Sequence, residues 1–196
     1  MKHARAFSII EVIVVLGIFT MVMTMIVNSV LTFYRANTSS FEEAVQVQNA
    51  ERGIQVLVHD LRESTYGDDG SYPLASIASS SITFYSDVDR TSPVEKIRYE
   101  LKNTSLYRSV LVSSGTPPKY VGAAATSTVS NYVRNFGDAV SVFRYYDASS
   151  TEIVDPAQIA KVVSVTISLV VDVTPLHAPG EFTLRSSATL RNLRPQ

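Results

Sequence analysis

An uncharged apolar run near the start of the chain sets the strongest limit on its fold. From Val12 to Tyr34 there are 23 consecutive residues without a charge, most of them Val, Ile, Met, Leu or Phe. At about 1.5 Å per residue, a helix of this length crosses a hydrocarbon core about 30 Å thick. The short segment before the run carries Lys2 and Arg5. Positive charge on the leading side favours a cytoplasmic N terminus and an external C-terminal part. The run therefore predicts a single-pass membrane anchor.

A secretory signal peptide is the first alternative, because it has the same basic start. Its apolar core has about 7 to 15 residues and ends at a small-residue cleavage site. Here the run continues through Asn28 to Tyr34, so neither its length nor its end fits. An uncleaved anchor without a further role is the second alternative.

Glu11 is the acidic residue at the mouth of this run. A carboxylate at the edge of a membrane-spanning helix costs several kcal/mol unless a partner neutralises it. Glu11 therefore predicts a cationic partner. The alternative is a carboxylate that reaches the membrane interface and has no role.

Residues Arg5 to Leu16, Arg-Ala-Phe-Ser-Ile-Ile-Glu-Val-Ile-Val-Val-Leu, resemble the N-terminal processing motif of type IV pilins and of type II secretion pseudopilins. The resemblance implies that a prepilin peptidase cuts between Ala6 and Phe7 and that the new amino terminus of Phe7 is methylated. Glu11 then becomes the fifth residue of the mature chain. The family usually has Gly before the cut, where this chain has Ala6.

Cleavage would place the cationic amine of Phe7 four residues before Glu11. The amine can neutralise the carboxylate of its own helix or that of a neighbouring subunit. Because the second pairing is satisfied in one stagger only, it makes Phe7 and Glu11 the predicted subunit-assembly residues. The partners that the resemblance implies are other pilin or pseudopilin subunits, the prepilin peptidase, an inner-membrane assembly platform, and membrane lipid before assembly.

The helical pattern continues beyond the apolar run. Between Phe41 and Glu63 there is neither a Pro nor a turn cluster. Apolar residues recur there at helical spacing, namely Val47, Ile54, Leu57, Val58 and Leu61. Such an amphipathic helix needs a partner surface. The cluster from Gly67 to Pro73 is a terminator, so the sequence predicts a helix from Phe7 to about Thr65.

The rest of the chain reads as strands with one buried face. Ile97 to Lys102 alternates strictly between apolar and charged residues. About six such segments are predicted, at 82–86, 97–102, 105–112, 140–146, 163–171 and 182–190. The predicted fold class is α+β, with a long N-terminal helix, half membrane and half amphipathic, packed on an antiparallel β-sheet domain. The predicted divisions are a leader 1–6, a transmembrane and assembly helix 7–34, an amphipathic helix 35–65 and an external domain 66–196.

The order of these segments is also similar to that of minor pilins and J-type minor pseudopilins of type II secretion. The similar segments include Asp60-Leu61-Arg62 on the helix, Ile97-Arg98-Tyr99 and Leu106-Tyr107-Arg108 on strands, and the ending Leu190-Arg191-Asn192-Leu193. This resemblance implies a place in the tip or initiation complex of a filament. A major pilin of the filament shaft is the less favoured alternative.

The sequence contains few features typical of a catalytic site. It has no Cys, its three His are scattered, and it lacks the H-E-x-x-H, P-loop and G-x-S-x-G motifs. We therefore expect no enzyme and no cofactor. The acid groups Asp68-Asp69 and Asp87-Val88-Asp89 could offer oxygen ligands to calcium, but solvated turn acids are the preferred interpretation.

Charge does not favour a nucleic-acid partner. The chain has 17 basic and 18 acidic residues, and loss of Lys2 and Arg5 leaves 15 against 18, a net charge of -3. Two classes of function remain. The favoured one is a filament subunit in the inner or plasma membrane that moves into an extracellular or periplasmic filament. The alternative is a static single-pass protein whose external domain binds a partner or ligand.

Overall fold

The computed structural model describes residues 8–88, 90–172 and 181–190, with backbone only at 35–43, 45 and 46. It contains two compact units, Met1–Glu42 and Glu43–Gln196. The helix α1 (Ile9–Arg62) has 54 residues and contributes to both units. Among its described residues the second unit adds nine strands and a short 3₁₀ helix, so the predicted α+β class is confirmed.

Within the second unit, α1 presents one apolar face to the interior. Its buried residues follow helical spacing and are Ala50, Ile54, Leu57, Val58 and Leu61. Val47, the fifth apolar residue predicted for this face, is half-buried. The helix ends at Arg62, a few residues before the turn at Gly67–Asp69, as the sequence predicts.

Strands β1 to β5 form a five-stranded antiparallel sheet in chain order. They are β1 (Leu74–Ile77), β2 (Ser81–Ser86), β3 (Glu95–Lys102), β4 (Ser105–Val112) and β5 (Ala125–Ser130). In β3 the predicted alternation is confirmed, since Ile97, Tyr99 and Leu101 are buried while Arg98 and Lys102 are exposed. A two-residue turn joins β3 to β4, and Asn103 takes the positive φ of 54° that such turns require.

The other four strands form a second antiparallel sheet, in the order β7-β6-β8-β9. They are β6 (Phe143–Tyr146), β7 (Glu152–Ile153), β8 (Ser164–Val171) and β9 (Phe182–Thr189). The 3₁₀ helix Pro156–Lys161 lies between β7 and β8, and the carboxylate of Asp155 caps its start by accepting from the Ala157 amide.

One hydrophobic core joins the helix face to both sheets. Its largest wholly buried side chains include Leu57 and Leu61 from α1, Phe84 and Tyr99 from the first sheet, and Phe143 from the second. Tyr145 ties the sheets further, because its hydroxyl donates to the carbonyl of Ala78 at 2.8 Å and lies 3.1 Å from that of Ser81. The second unit is therefore a single packed domain.

The sequence predicted about six strands and did not predict how they divide into sheets, and three of the observed strands were not among those six. The strands β1 and β7 have only four and two residues. The strand β5, Ala-Thr-Ser-Thr-Val-Ser, carries hydroxyls where alternation would place apolar residues. None of the three offers the period-two signal on which a strand prediction depends.

Candidate assembly site

The helix α1 begins with a polar cap. The carbonyl of Ser8 accepts from the Glu11 amide at 3.0 Å and from the Val12 amide at 3.2 Å, so Ser8 is the N-cap residue. The sequence Ser8-Ile9-Ile10-Glu11 has the spacing of a capping box, in which an acid three residues on reaches back to the amide of the cap. The Oε2 atom of Glu11 lies 3.5 Å from the Ser8 amide nitrogen.

This contact leaves the carboxylate available to another molecule. A separation of 3.5 Å is long for a hydrogen bond, and the Glu11 side chain is exposed. The first turn of a helix also favours negative charge, because its free amides give this end a partial positive charge. Glu11 is thus held near its own helix end only weakly, and it faces outward.

The predicted processing residues Ala6 and Phe7 lie outside the described residues. Their role, and the pairing of the Phe7 amine with Glu11, remain predictions. Of the three residues predicted for processing and assembly, the structure describes Glu11 alone.

The stretch Ile9–Tyr34 of α1 is long and apolar enough to cross a membrane. Its mean hydropathy is 2.6 and none of it is buried within the chain. Its threonine hydroxyls find acceptors within the helix, since Thr20, Thr24 and Thr32 donate to backbone carbonyls three or four residues earlier at 2.8–2.9 Å. Such internal bonds reduce the cost of placing hydroxyls in an apolar environment. The exposed surface therefore suits lipid or neighbouring apolar helices.

A buried ionic cluster fixes the later part of α1 to the first sheet. The Oδ2 atom of Asp60 accepts from the Tyr99 hydroxyl at 2.7 Å and from Nε of Arg108 at 2.8 Å. Asp60 is only 2% exposed. Its backbone carbonyl also accepts from the Ser86 hydroxyl at 2.8 Å. The cluster satisfies a carboxylate that would otherwise be costly on the inner face of the helix.

The electrostatics of this cluster favour one protonation pattern. Burial raises the pKa of the Tyr99 hydroxyl far above its ordinary value, and the adjacent Asp60 carboxylate adds to the shift. Burial alone would lower the pKa of the Arg108 guanidinium, but its contacts with Tyr99 and Asp60 outweigh burial and raise it. Tyr99 therefore stays protonated as the donor to Asp60, and Arg108 stays charged.

Sequence reasoning assigned no role to these three residues, although all of them lie in the segments that carry the resemblance to minor pilins. One signal was present. Asp60 falls three residues after Leu57 and one before Leu61, on the apolar face of the predicted helix. An acid at such a position indicates a buried partner.

A close approach of backbones lies about two turns before Asp60, at Gly53. A Cβ atom added there would collide with the Val129 side chain of β5 and lie 3.0 Å from the Val129 carbonyl oxygen. A glycine inside a helix lowers its stability compared with alanine. In the structure, the missing side chain is what lets α1 contact the end of β5.

The acids Asp68 and Asp69, for which turn acids were preferred over calcium ligands, hold a loop. The Oδ2 atom of Asp68 accepts from the Val94 amide at 3.0 Å and from the Ser113 hydroxyl. The hydrogen bond that the Asp69 carboxylate accepts from Ser71 lowers the pKa of Asp69. This pattern is that of turn acids tied to the backbone.

The second acid pair is described in part, because Asp89 lies outside the described residues. One carboxylate oxygen of Asp87 is buried with no hydrogen-bond partner among the described residues. In that same part of the chain, no group of three or more His, Cys, Asp or Glu side chains is placed to hold a metal ion.

Comparison with known proteins finds similarity in structure but no match in sequence. No protein-family model matches the sequence, and no curated protein matches it. Among solved structures, the chain is similar to one in "The Crystal Structure of the GspK-GspI-GspJ complex from enterotoxigenic Escherichia coli Type 2 Secretion System". The identity is 18%, the match covers 77% of this chain and 99% of that chain, and the TM-score is 0.47.

Proposed function

We propose that the chain is a non-enzymatic, cofactor-free subunit of a type IV pilus or type II secretion pseudopilus, a minor pilin or pseudopilin of its tip or initiation complex. The observation that carries this proposal is the exposed apolar stretch Ile9–Tyr34 of α1, which has the exposed carboxylate of Glu11 in its first turn. Such a helix needs an apolar environment both before and after assembly. Lipid supplies it before assembly, and the helices of neighbouring subunits supply it afterwards.

In this proposal the N terminus starts in the cytoplasm and the β-rich domain lies outside the inner or plasma membrane. The prepilin peptidase cuts between Ala6 and Phe7, and the new amine is methylated. An assembly platform, with an ATPase elsewhere in the machine, then moves the subunit into the filament. The amine of an incoming Phe7 pairs with the Glu11 carboxylate of a neighbour and selects one stagger, because any other stagger leaves the carboxylate unpaired in an apolar environment.

The packing of the external domain supports this use of the helix. The later part of α1 buries Leu57 and Leu61 in the core and holds Asp60 in the ionic cluster. A helix fixed in this way cannot slide out of its domain without exposing apolar side chains and a buried charge. Movement of this part of the helix therefore carries the domain with it.

The test separates the charge of Glu11 from its capping role. Gln keeps the ability to reach the Ser8 amide, whereas Ala loses it. We expect Glu11→Gln and Glu11→Ala both to enter the membrane normally and both to lower incorporation into filaments about tenfold or more, since each removes the charge that a neighbour's amine would pair with. Subunit counts in sheared filaments, against membrane levels, measure this ratio. Glu51→Gln, which removes an exposed glutamate later on the same helix, is the matched control.

Normal incorporation of Glu11→Gln together with a defect in Glu11→Ala would reduce Glu11 to a helix cap and contradict the assembly role. The static single-pass alternative makes a different prediction, namely that the mature protein still begins at Met1. Mass spectrometry of the purified protein distinguishes the two, because the proposal requires a methylated Phe7 at the N terminus.

A further inference from the structure

Within the part of the chain that the structure describes, one edge of the five-stranded sheet lacks the features that usually prevent pairing with another chain. Native proteins guard sheet edges with short strands, charged residues, prolines or bulges, because an open edge pairs readily with another chain. Here β1 and β7 have four and two residues, and β9 carries the exposed charge of Arg185. The strand β5 has six residues and neither a charge nor a Pro.

No described residue pairs with the outer edge of β5. Its register with β4 skips Val129, which marks a bulge near the end of the strand. The preceding residues Ala125 to Thr128 are all exposed, and Val110 to Tyr107 on β4 oppose them in regular order. The regular part of this edge is therefore an available template for one more strand.

A groove of about 450 Å³ runs between this strand and α1. Arg52 and Val56 line it from the helix, Ser127 and Asn131 from β5 and the residue after it, and Arg108 from β4. No acidic residue is among its described lining residues. The groove therefore joins a free backbone edge to two cations.

Arg52 and Arg108 both have N–H donors that no described residue accepts from. Arg52 is exposed and makes no hydrogen bond or ion pair with any described residue. Arg108 uses its Nε atom on Asp60 and Tyr99, and its side chain remains 21% exposed. No described residue accepts from the two terminal nitrogens of Arg108. Guanidinium donors of this kind favour carboxylate oxygens in planar geometry.

We propose that this groove binds an extended segment of a partner protein that adds to β5 as a further strand and places a carboxylate side chain against Arg52 and Arg108. The backbone of the segment pairs with the open edge, and its acidic side chain meets the two guanidinium groups. The charge of the groove selects the occupant, since a basic or purely apolar segment would leave Arg52 and the terminal nitrogens of Arg108 without an acceptor. This binding does not depend on cleavage at Ala6 or on filament assembly, and it goes beyond the proposed function.

The test uses the full chain in detergent micelles and three capped octapeptides as probes. In the first, threonine alternates with glutamate; in the others glutamine or lysine replaces the glutamate. We expect the glutamate peptide to shift the amide resonances of residues 125–128 and of Arg52. The glutamine peptide should bind about tenfold more weakly, because a neutral acceptor replaces a charged one, and the lysine peptide should not bind.

Arg52→Gln and Arg62→Gln are the matched variants, because both arginines are exposed on α1 and only Arg52 lines the groove. Arg52→Gln should weaken binding of the glutamate peptide about fivefold, the size of a partly exposed charge contact. Arg62→Gln should leave it unchanged.

Three outcomes overturn the proposal. The first is equal binding of the three peptides, or none at millimolar concentration. The second is an equal effect of the two arginine variants. The third is a shift confined to Arg52 that sulfate reproduces, which would make the groove a small-anion site without strand addition. None of these outcomes bears on processing at Ala6 or on Glu11.

Discussion

Helix α1 has two stretches that differ in what surrounds them. In Ile9–Tyr34 no residue is buried, although most are apolar. In the stretch that belongs to the domain, Ala50, Leu57 and Leu61 are wholly buried against strands. The same residue type therefore contributes to the stability of the domain in one stretch and only to contacts with other molecules in the other. Burial within the chain, rather than apolar character, decides which role a position has.

The largest expected effect tests this difference with one substitution at two positions. Leu57 is wholly buried and Leu16 is 56% exposed. Leu57→Ala should lower the free energy of unfolding of the domain by about 3 kcal/mol, because it removes buried methyl groups and leaves a cavity. Leu16→Ala should change it by less than about 0.5 kcal/mol. Urea unfolding followed by near-ultraviolet circular dichroism measures both. Similar losses in the two variants would remove the distinction between the stretches.

The buried ionic cluster gives the next largest effect. Asp60→Asn removes the charge that compensates Arg108, and it should lower the free energy of unfolding by about 2 to 3 kcal/mol. The matched control is Glu100→Gln, because Glu100 pairs with Arg98 and Lys102 on the outer face of the same sheet. That exposed pairing should contribute less than about 0.5 kcal/mol.

A double-mutant cycle shows whether the Asp60 effect belongs to the pair. Arg108→Met added to Asp60→Asn should recover part of the loss, since neither charge then remains buried without a partner. Additive losses would mean that Asp60 and Arg108 contribute independently.

The parts of the fold that could be predicted are those whose sequence pattern lies within a single segment. The alternation of Ile97 to Lys102 predicted β3, and the helical spacing of Ile54, Leu57 and Leu61 predicted the buried face of α1; both are confirmed. The strand β5 was missed because its hydroxyl residues carry no period-two hydrophobic pattern. The separation into two sheets could not be predicted, because it depends on which strands pair, and this is not a property of any one segment.

The same distinction applies to the candidate sites. The position of Glu11 at the start of a helix was predictable, because the charge and the apolar run are adjacent in sequence. The contacts of Asp60 with Tyr99 and Arg108 join residues 39 and 48 positions apart. Each of those residues was visible in a strand or helix pattern, but the convergence of the three required the fold. The groove between α1 and β5 was not predictable, since β5 itself was not.

A third prediction uses pH to examine the cluster. Burial raises the pKa of Tyr99, so above pH 10 the unfolded chain releases a proton that the folded protein keeps. This contribution to stability is complete below pH 10 and declines as pH rises above it, by about 1.4 kcal/mol per pH unit. Burial also raises the pKa of Tyr145, which acts in the same direction. Tyr99→Phe should therefore make the alkaline decline less steep without abolishing it. Urea unfolding between pH 9 and about pH 11 measures the slope, and an unchanged slope would contradict the assignment.

The smallest expected effect compares the glycines of the two stretches. At Gly53 a Cβ atom would collide with Val129, whereas at Gly17 nothing lies within 4 Å. Ala is the better helix former by about 1 kcal/mol, so at Gly53 this gain opposes a collision costing about 1 to 3 kcal/mol. Gly53→Ala should therefore lower the free energy of unfolding by about 1 kcal/mol, and Gly17→Ala should leave the unfolding of the domain unchanged.

A more stable Gly53→Ala variant would mean that β5 yields to the added methyl group, so that the contact between α1 and β5 is loose. The comparison also bears on the groove, because Gly53 and Val129 line it together. If β5 moves away from the helix in Gly53→Ala, the glutamate peptide should lose affinity even though Arg52 and Arg108 are unchanged. Stability and peptide binding measured on the same variant then connect the packing of the second stretch to its proposed use, while Gly17→Ala should alter neither.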